Sequence, residues 1–224
     1  DGEVELELAA GINYTIVVSG ASITSNSTYN THIISPNQGI NNYTFQVYQP
    51  NSVFVNIYNA SSGNKTNTNV SATIESISGT YQTTIVDDDG DFYFEGLAPD
   101  TYKVSLSGTG YTATSYIVTL VSGNNLVLNA YLDDTETSST LFYVHDKDNR
   151  DNRIDGAIVQ VAKIINSTWT TTQTTFTDIT GTTNISYSPG MKYRFIVSAG
   201  NYTTYIFYLD PILSASYYIP LTKS

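Results

Sequence analysis

No cysteine occurs among the 224 residues, which excludes disulfide staples, thiolate metal sites and thiol nucleophiles. Lysine and arginine are scarce: nine together, against twenty aspartates and glutamates, for a formal net charge of −11. Duplex binding needs clustered cations that release counterions, so nucleic acid is not an expected partner. An anionic membrane surface is excluded on the same ground. Histidine occurs twice, as His32 and His145, and neither lies near a serine in a G-x-S-x-G elbow. An enzyme is therefore not expected. No apolar run reaches the length of a membrane span, and no basic start precedes an apolar core. The chain reads as a mature product or a fragment.

What remains is neutral and polar. Charged residues make up 13% of the chain, apolar residues 40%, and there are nineteen tyrosines. Thr and Tyr suit half-buried pleated strands, and Ser and Asn suit turns. This composition predicts an all-β protein with uncharged polar outer faces.

One frame recurs three times: a glycine, then a tyrosine twelve residues later, opening an alternating apolar strand. The copies are Gly2 to Tyr14, Gly90 to Tyr102 and Gly181 to Tyr193. Two and four residues past the glycine stand Val4 and Leu6, Phe92 and Phe94, Thr183 and Ile185. Fourteen and sixteen residues past it stand Ile16 and Val18, Val104 and Leu106, Phe195 and Val197. Period-two spacing puts each pair on one strand face. The glycine is expected to close a turn with positive φ, and the tyrosine to point inward with its hydroxyl bonded.

Around the second frame, alternation predicts strands at Val53–Tyr58, Val70–Glu75, Tyr81–Val86, Phe92–Phe94, Tyr102–Leu106, Thr114–Leu120 and Leu126–Tyr131. The third predicts Leu141–His145, Ala157–Ile164, Thr170–Thr177, Thr183–Tyr187, Tyr193–Val197, Thr203–Leu209 and Ala215–Pro220. Seven short strands in about eighty residues argue for a two-sheet antiparallel sandwich. The first frame predicts only four: Val4–Leu8, Tyr14–Val18, one near Tyr29–Ile34, and Tyr43–Tyr48. The expected organisation is a C-terminal half-module at 1–50, a complete module at 51–132, an acidic linker at 133–139 and a complete module at 140–224. The half-module is expected to be completed by upstream residues or by another chain.

The segment from Asp87 to Tyr111, DDDGDFYFEGLAPDTYKVSLSGTGY, resembles the prealbumin-like (transthyretin-like) β-sandwich modules of the carboxypeptidase regulatory-domain type. These show a TDxxGxFxFxxLxxGxYxVxxxxxGY pattern, although Asp100 stands where a glycine is usual. Asp178 to Tyr202 match less fully, with Thr183 at an aromatic position and Asn201 inserted. The stretch RIDGAIVQV is similar to the second strand of such modules. The resemblance implies tandem Ig-like sandwiches and says little of function, since these modules are appended to peptidases, adhesins, pilins and surface proteins. Some pilin domains of this kind join a first-strand Lys to a last-strand Asn, and here the first expected strand of neither module supplies the Lys.

Acidic turns supply the candidate sites. Alternating strand direction predicts that Asp87, Asp89 and Asp91 lie at the same end as the exit linker carrying Asp133 and Asp134. Such charges would splay the junction unless solvent, salt or a cation intervenes, and carboxylates with backbone oxygens are what Ca²⁺ takes. These five are the Ca²⁺ candidates, and no cofactor is required. A second group comprises Asp146, Asp148, Asp151, Asp155 and Asp178. Asn-x-Ser/Thr sequons occur at Asn13, Asn26, Asn42, Asn59, Asn64, Asn69, Asn166, Asn184 and Asn201. The expected N-glycan acceptors are the loop residues Asn26, Asn59, Asn64, Asn166 and Asn201.

The functional expectation is a non-catalytic extracellular protein of a prokaryotic, archaeal surface. It would be a subunit of a filament, sheath or surface layer that associates with itself or a neighbouring surface protein. The alternatives are an adhesin stalk, a carbohydrate-binding module, or the accessory region of a secreted hydrolase.

Overall fold

The structure, a computed structural model, describes residues 6–18, 31–43, 51–66, 69–87, 90–134, 138–212 and 215–224. Its described secondary structure is all β. Sixteen strands run in order: β1 (Tyr14–Val17), β2 (Thr31–Ile34), β3 (Asn51–Asn59), β4 (Val70–Ser76), β5 (Gln82–Asp87), β6 (Asp91–Leu97), β7 (Asp100–Gly108), β8 (Thr114–Leu120), β9 (Asn125–Leu132), β10 (Ser138–Asp146), β11 (Ile158–Ile165), β12 (Thr168–Phe176), β13 (Thr182–Tyr187), β14 (Tyr193–Ser198), β15 (Tyr205–Leu209) and β16 (Ser216–Leu221).

Strands β3 to β9 form a three-stranded sheet, β6-β3-β9, and a four-stranded sheet, β5-β4-β7-β8. Strands β10 to β16 repeat this as β13-β10-β16 and β12-β11-β14-β15. Each pair of sheets encloses one core. The first holds Val53, Val55, Ile57, Phe92, Phe94, Tyr102, Val104 and Leu106 among others. The second is built round Phe142, Val144, Val159, Val161, Tyr193, Phe195 and Val197. Alternate burial along β7 and β14 shows the period-two face that the sequence carries.

The ladders within both units are antiparallel except one in each. Strand β3 pairs in parallel with β9, from Ser52–Asn125 to Asn59–Leu132, and β10 with β16, from Leu141–Ser216 to Asp146–Leu221. This follows from counting. Seven strands that reverse at each turn leave the first and seventh pointing the same way, so as neighbours they must be parallel. Tyrosines stack across both ladders, Tyr58 on Tyr131 at 5.3 Å and Tyr143 on Tyr218 at 4.8 Å. The buried Tyr116 hydroxyl accepts from the Tyr131 N–H at 2.7 Å, tying β8 to β9 across the two sheets. Burial pushes its pKa up.

The recurrent glycine and tyrosine have the expected geometry where they are described. Gly90 (φ +80°) and Gly181 (φ +70°) close left-handed turns. Their carbonyls accept from Ile57 and Val144 on the first strand of their units, at 2.9 and 2.8 Å. The tyrosine hydroxyl anchors the preceding turn in all three copies. Tyr102 donates to the Ala98 carbonyl at 2.9 Å, while Tyr193 and Tyr14 accept from Ser188 and Ala9 N–H at 2.8 and 2.9 Å.

The first frame departs from expectation. Only the hairpin β1–β2 is present among its described residues. Leu6 to Leu8 and Tyr43 are not in strands, and the rest of Val4–Leu8 and Tyr43–Tyr48 lies outside the described residues. Among the described residues no second sheet faces this hairpin, and of its apolar residues Ile34 is buried while others are not. Leu6, Val17, Ile33 and Ile40 stay 56, 50, 74 and 98% exposed. A two-stranded hairpin by itself gains little from burial.

Candidate functional site: the junction between the two sandwiches

Strand β9 ends at Leu132, and the next residue holds both units. The Asp133 carbonyl accepts from the Thr112 N–H of the β7–β8 loop at 2.9 Å. Its carboxylate receives the Lys163 ammonium of β11 at 2.6 Å and the Ser188 hydroxyl at 3.1 Å. Lys163 follows Val159 and Val161 on the inward face of β11, and its side chain is only 5% exposed. An ammonium there requires a counter-charge, and Asp133 is the one supplied. Asp134 turns back to the first unit, accepting from Asn59 Nδ2 at 2.7 Å and Ser61 Oγ at 2.5 Å. The Ser61 and Asn59 bonds hold its carboxyl below the usual carboxylate range.

A second seam runs between strand edges. Thr114 Oγ1 of β8 donates to the Thr172 carbonyl of β12 at 2.9 Å, and Ser115 Oγ to the Thr174 carbonyl at 3.1 Å. Gly63 packs so closely on the β11–β12 turn that a Cβ there would lie 3.3 Å from the Ile165 Cγ2 methyl and overlap the Asn166 amide. An open groove of ≈ 290 Å³ beside the seam is lined by Thr73, Lys103, Ser105, Thr114, Ser115 and Gln173, among others.

The Ca²⁺ candidates divide between partners. Asp91 carries Lys65 at 2.5 Å, Asp133 carries Lys163, and Asp134 carries two neutral donors. Asp89 lies outside the described residues, as does the side chain of Asp87. In register, Asp91 faces Asn56 and Leu132 faces Asn59, on opposite sides of β3. Three residues of strand rise separate those positions by ~10 Å along β3 alone. Among the described residues, no three His, Asp or Glu side chains converge on a point that could hold a metal ion.

The second acidic group is also dispersed. Asp146 is 2% exposed, receives Lys223 at 2.8 Å and accepts from the Asp148 N–H at 2.9 Å. The lysine first, then that N–H, hold its pKa at about 2. Asp178 staples its own turn, accepting from the hydroxyls and N–H groups of Thr180 and Thr182, which hold it at about 2. Asp148 lies beside Asp146 with its own carboxylate exposed, and Asp151 and Asp155 are exposed in the loop that follows. Both depressed carboxyls fall below the unfolded value of ~3.9, so the stability they give is complete above about pH 4 and lost as pH falls through about 2. Melting temperature should therefore fall steeply between about pH 4 and pH 2, and Asp146→Asn should flatten that slope. A slope identical to the parent's would contradict the assignment. The same pair raises the Lys223 pKa, so its contribution also fades at strongly alkaline pH.

The sequon residues differ in what their amides do. Asn59 Nδ2 is committed to Asp134. Asn64 is exposed in the β3–β4 loop, while Asn166 (φ +49°) and Asn201 (φ +63°) are exposed at turns. Asn26 lies outside the described residues. His145, expected at a polar strand end, is 7% exposed, with Nδ1 against the Asp146 carbonyl at 2.8 Å.

Residues 52–133 match the family model of the carboxypeptidase regulatory-like domain. No curated protein sequence matches the chain. Among solved structures it is similar to the Bacillus anthracis TIE protein, at 12% identity, 77% coverage of this chain, 34% of that one and TM-score 0.34. It is similar to a streptococcal ancillary pilin at 13% identity, 95% and 75% coverage and TM-score 0.34. The shaft pilin SpaA from Lactobacillus rhamnosus GG gives 12% identity, 79% and 98% coverage and TM-score 0.31. The chain thus spans about a third of the TIE protein's length. Among the described residues, no helix is long and apolar enough to cross a membrane.

Proposed function

We propose that this chain, in which residues 52–133 are a carboxypeptidase regulatory-like domain, is a non-catalytic structural subunit of an extracellular assembly on a cell surface. A filament, sheath or surface layer of an archaeal or other prokaryotic cell is the assembly it suits. The observation that carries this reading is the junction. One linker residue is bonded through its backbone to the first sandwich and through its side chain to the buried Lys163 of the second. Flexible tandem domains need no such tie, whereas a strut does. N-glycans on Asn64 and Asn201 would cover loops without breaking a bond, whereas one on Asn59 would displace Asp134 and one on Asn166 would crowd Gly63.

Sedimentation at rising concentration, with electron microscopy of the native surface, tests the reading. Ordered oligomers and a repeating surface structure are expected. A monomer at every concentration, absent from any surface array, would refute it.

A carbohydrate-binding reading rests on a separate patch. Trp169 and Tyr208 lie 5.4 Å apart, and the Arg194 guanidinium is 5.5 Å from the Trp169 ring. Aromatic faces of this kind can stack on sugars. If they do so here, Trp169→Ala abolishes binding on a glycan array and leaves the melting temperature within a few degrees of the parent's.

A further inference from the structure

The seam between β8 and β12 joins two edge strands. β8 ends one four-stranded sheet and β12 begins the other, so the sheets lie edge to edge and each edge covers its neighbour. Both units have the same strand order, so equivalent positions recur at the outer ends. Tyr102 faces Val118 as Tyr193 faces Leu209, which makes Thr114 and Ser115 of β8 equivalent to Tyr205 and Ile206 of β15. Ala72 pairs with Leu106 and Ile85 as Val159 pairs with Val197 and Thr175, which makes Thr174 of β12 equivalent to Thr84 of β5.

Among the described strands, β15 and β5 each hydrogen-bond to one neighbour only. Free edges are ordinarily blunted by lysine, proline or an inward charge. β15 reads Tyr-Ile-Phe-Tyr-Leu and has none of these, with Tyr205, Ile206 and Tyr208 exposed by 41, 54 and 54%. β5 also lacks lysine and proline and leaves Val86 69% exposed. Both have the make-up of covered edges.

We infer that β15 of one copy seats against β5 of a second copy, repeating between chains the β8–β12 contact made within one. This rests on the surface-assembly reading and supplies its contact. The two surfaces differ, so each added copy presents a fresh β15 or β5 edge, and growth continues unless the rotation closes a ring. Within the chain the seam is made by hydroxyls. Between chains, Tyr205 and Ile206 replace them with apolar area, the stronger driving force for association.

The absence of cysteine makes a clean test possible in the full chain. Ile206→Cys and Thr84→Cys are made in separate preparations and oxidised. A disulfide dimer is expected only when the two are mixed, and a ladder of multimers when one chain carries both. Ile206→Lys should weaken self-association at least tenfold by sedimentation and leave the melting temperature of the monomer unchanged. Self-cross-linking of Ile206→Cys alone, as efficient as in the mixture, would overturn the inference in favour of a two-fold contact. An intramolecular disulfide between Thr31→Cys and Thr84→Cys would also overturn it, because β2 of the same chain would then occupy β5. If the mixture does not cross-link while the parent still forms oligomers, this contact is wrong and the assembly reading stands. If the parent is monomeric throughout, both are wrong.

Discussion

Replacing Asp133 with alanine should destabilise the protein by about 3–5 kcal/mol, the cost of leaving a buried charge without its partner. Lys163 is the group stranded. Its side chain is 5% exposed, and Ser188 cannot neutralise it. For a unit of this size the melting temperature of β10–β16 should drop by more than ~10 °C. Lys163→Met should cost much less, because a linear apolar side chain fills the same space and Asp133 keeps Ser188 and partial contact with water. That asymmetry is the signature of a buried pair. Equal losses from the two substitutions, each under about 1 kcal/mol, would mean the bridge behaves like an exposed one. The Lys65–Asp91 pair offers the comparison. At 42 and 30% side-chain exposure it should contribute about 0–1 kcal/mol and weaken with salt, while Lys163–Asp133 should not respond to salt.

The second large effect is at the recurrent glycine. Gly181→Ala must place a methyl group 2.8 Å from the Val144 carbonyl oxygen, 2.8 Å from Arg153 Cβ and 3.0 Å from the Ile154 nitrogen, at φ +70°. Two of these neighbours are backbone in a hydrogen-bonded turn: the Ile154 N–H donates to the Val144 carbonyl at 3.0 Å. They cannot move without breaking that bond. The left-handed conformation costs about 1–2 kcal/mol for an L-residue, and overpacking adds about 1–3 kcal/mol. Gly190 separates the two contributions, because it has φ +80° and nothing within 4 Å of its absent Cβ. Gly190→Ala should therefore lose only the conformational part. Urea unfolding measures both, with the midpoint lowered and the slope unchanged. Equal midpoints for the two variants would show that close approach does not hold Gly181.

Much of this was legible in the sequence, and the places where it was not share a cause. Strands β3 to β16 lie where alternation and turns predict them, with ends shifted by at most three residues, because their apolar residues have a facing sheet. Leu6, Ile33 and Ile40 carry a similar apolar character and remain exposed, because pattern predicts a face and not the presence of something to cover it. The ion pairs of the acidic residues were not legible for a related reason. Counting carboxylates along the chain suggests repulsion, but it omits lysines distant in sequence, such as Lys163 beside Asp133 and Lys223 beside Asp146. A signal for the first was present: the alternation that turns Val159 and Val161 inward turns Lys163 inward too, and an inward lysine calls for a carboxylate. The β8–β12 seam left no such mark, since Thr114 and Ser115 look like any exposed strand residues until a second unit is beside them.

The parallel pairing of β3 with β9 and of β10 with β16 has a mechanical meaning. Tension on the chain would pull β3 from its start and β9 from its end, in opposite directions. Adjacent parallel strands loaded this way slide along each other, so the eight residue pairs from Ser52–Asn125 to Asn59–Leu132 resist together in shear. The six pairs of β10 and β16 resist likewise. A hairpin pulled at its open ends, as β1–β2 would be, parts one bond at a time. Resistance to force is set by the rate of unfolding rather than by equilibrium stability. Each sandwich therefore closes with a clamp between the strands through which tension enters and leaves.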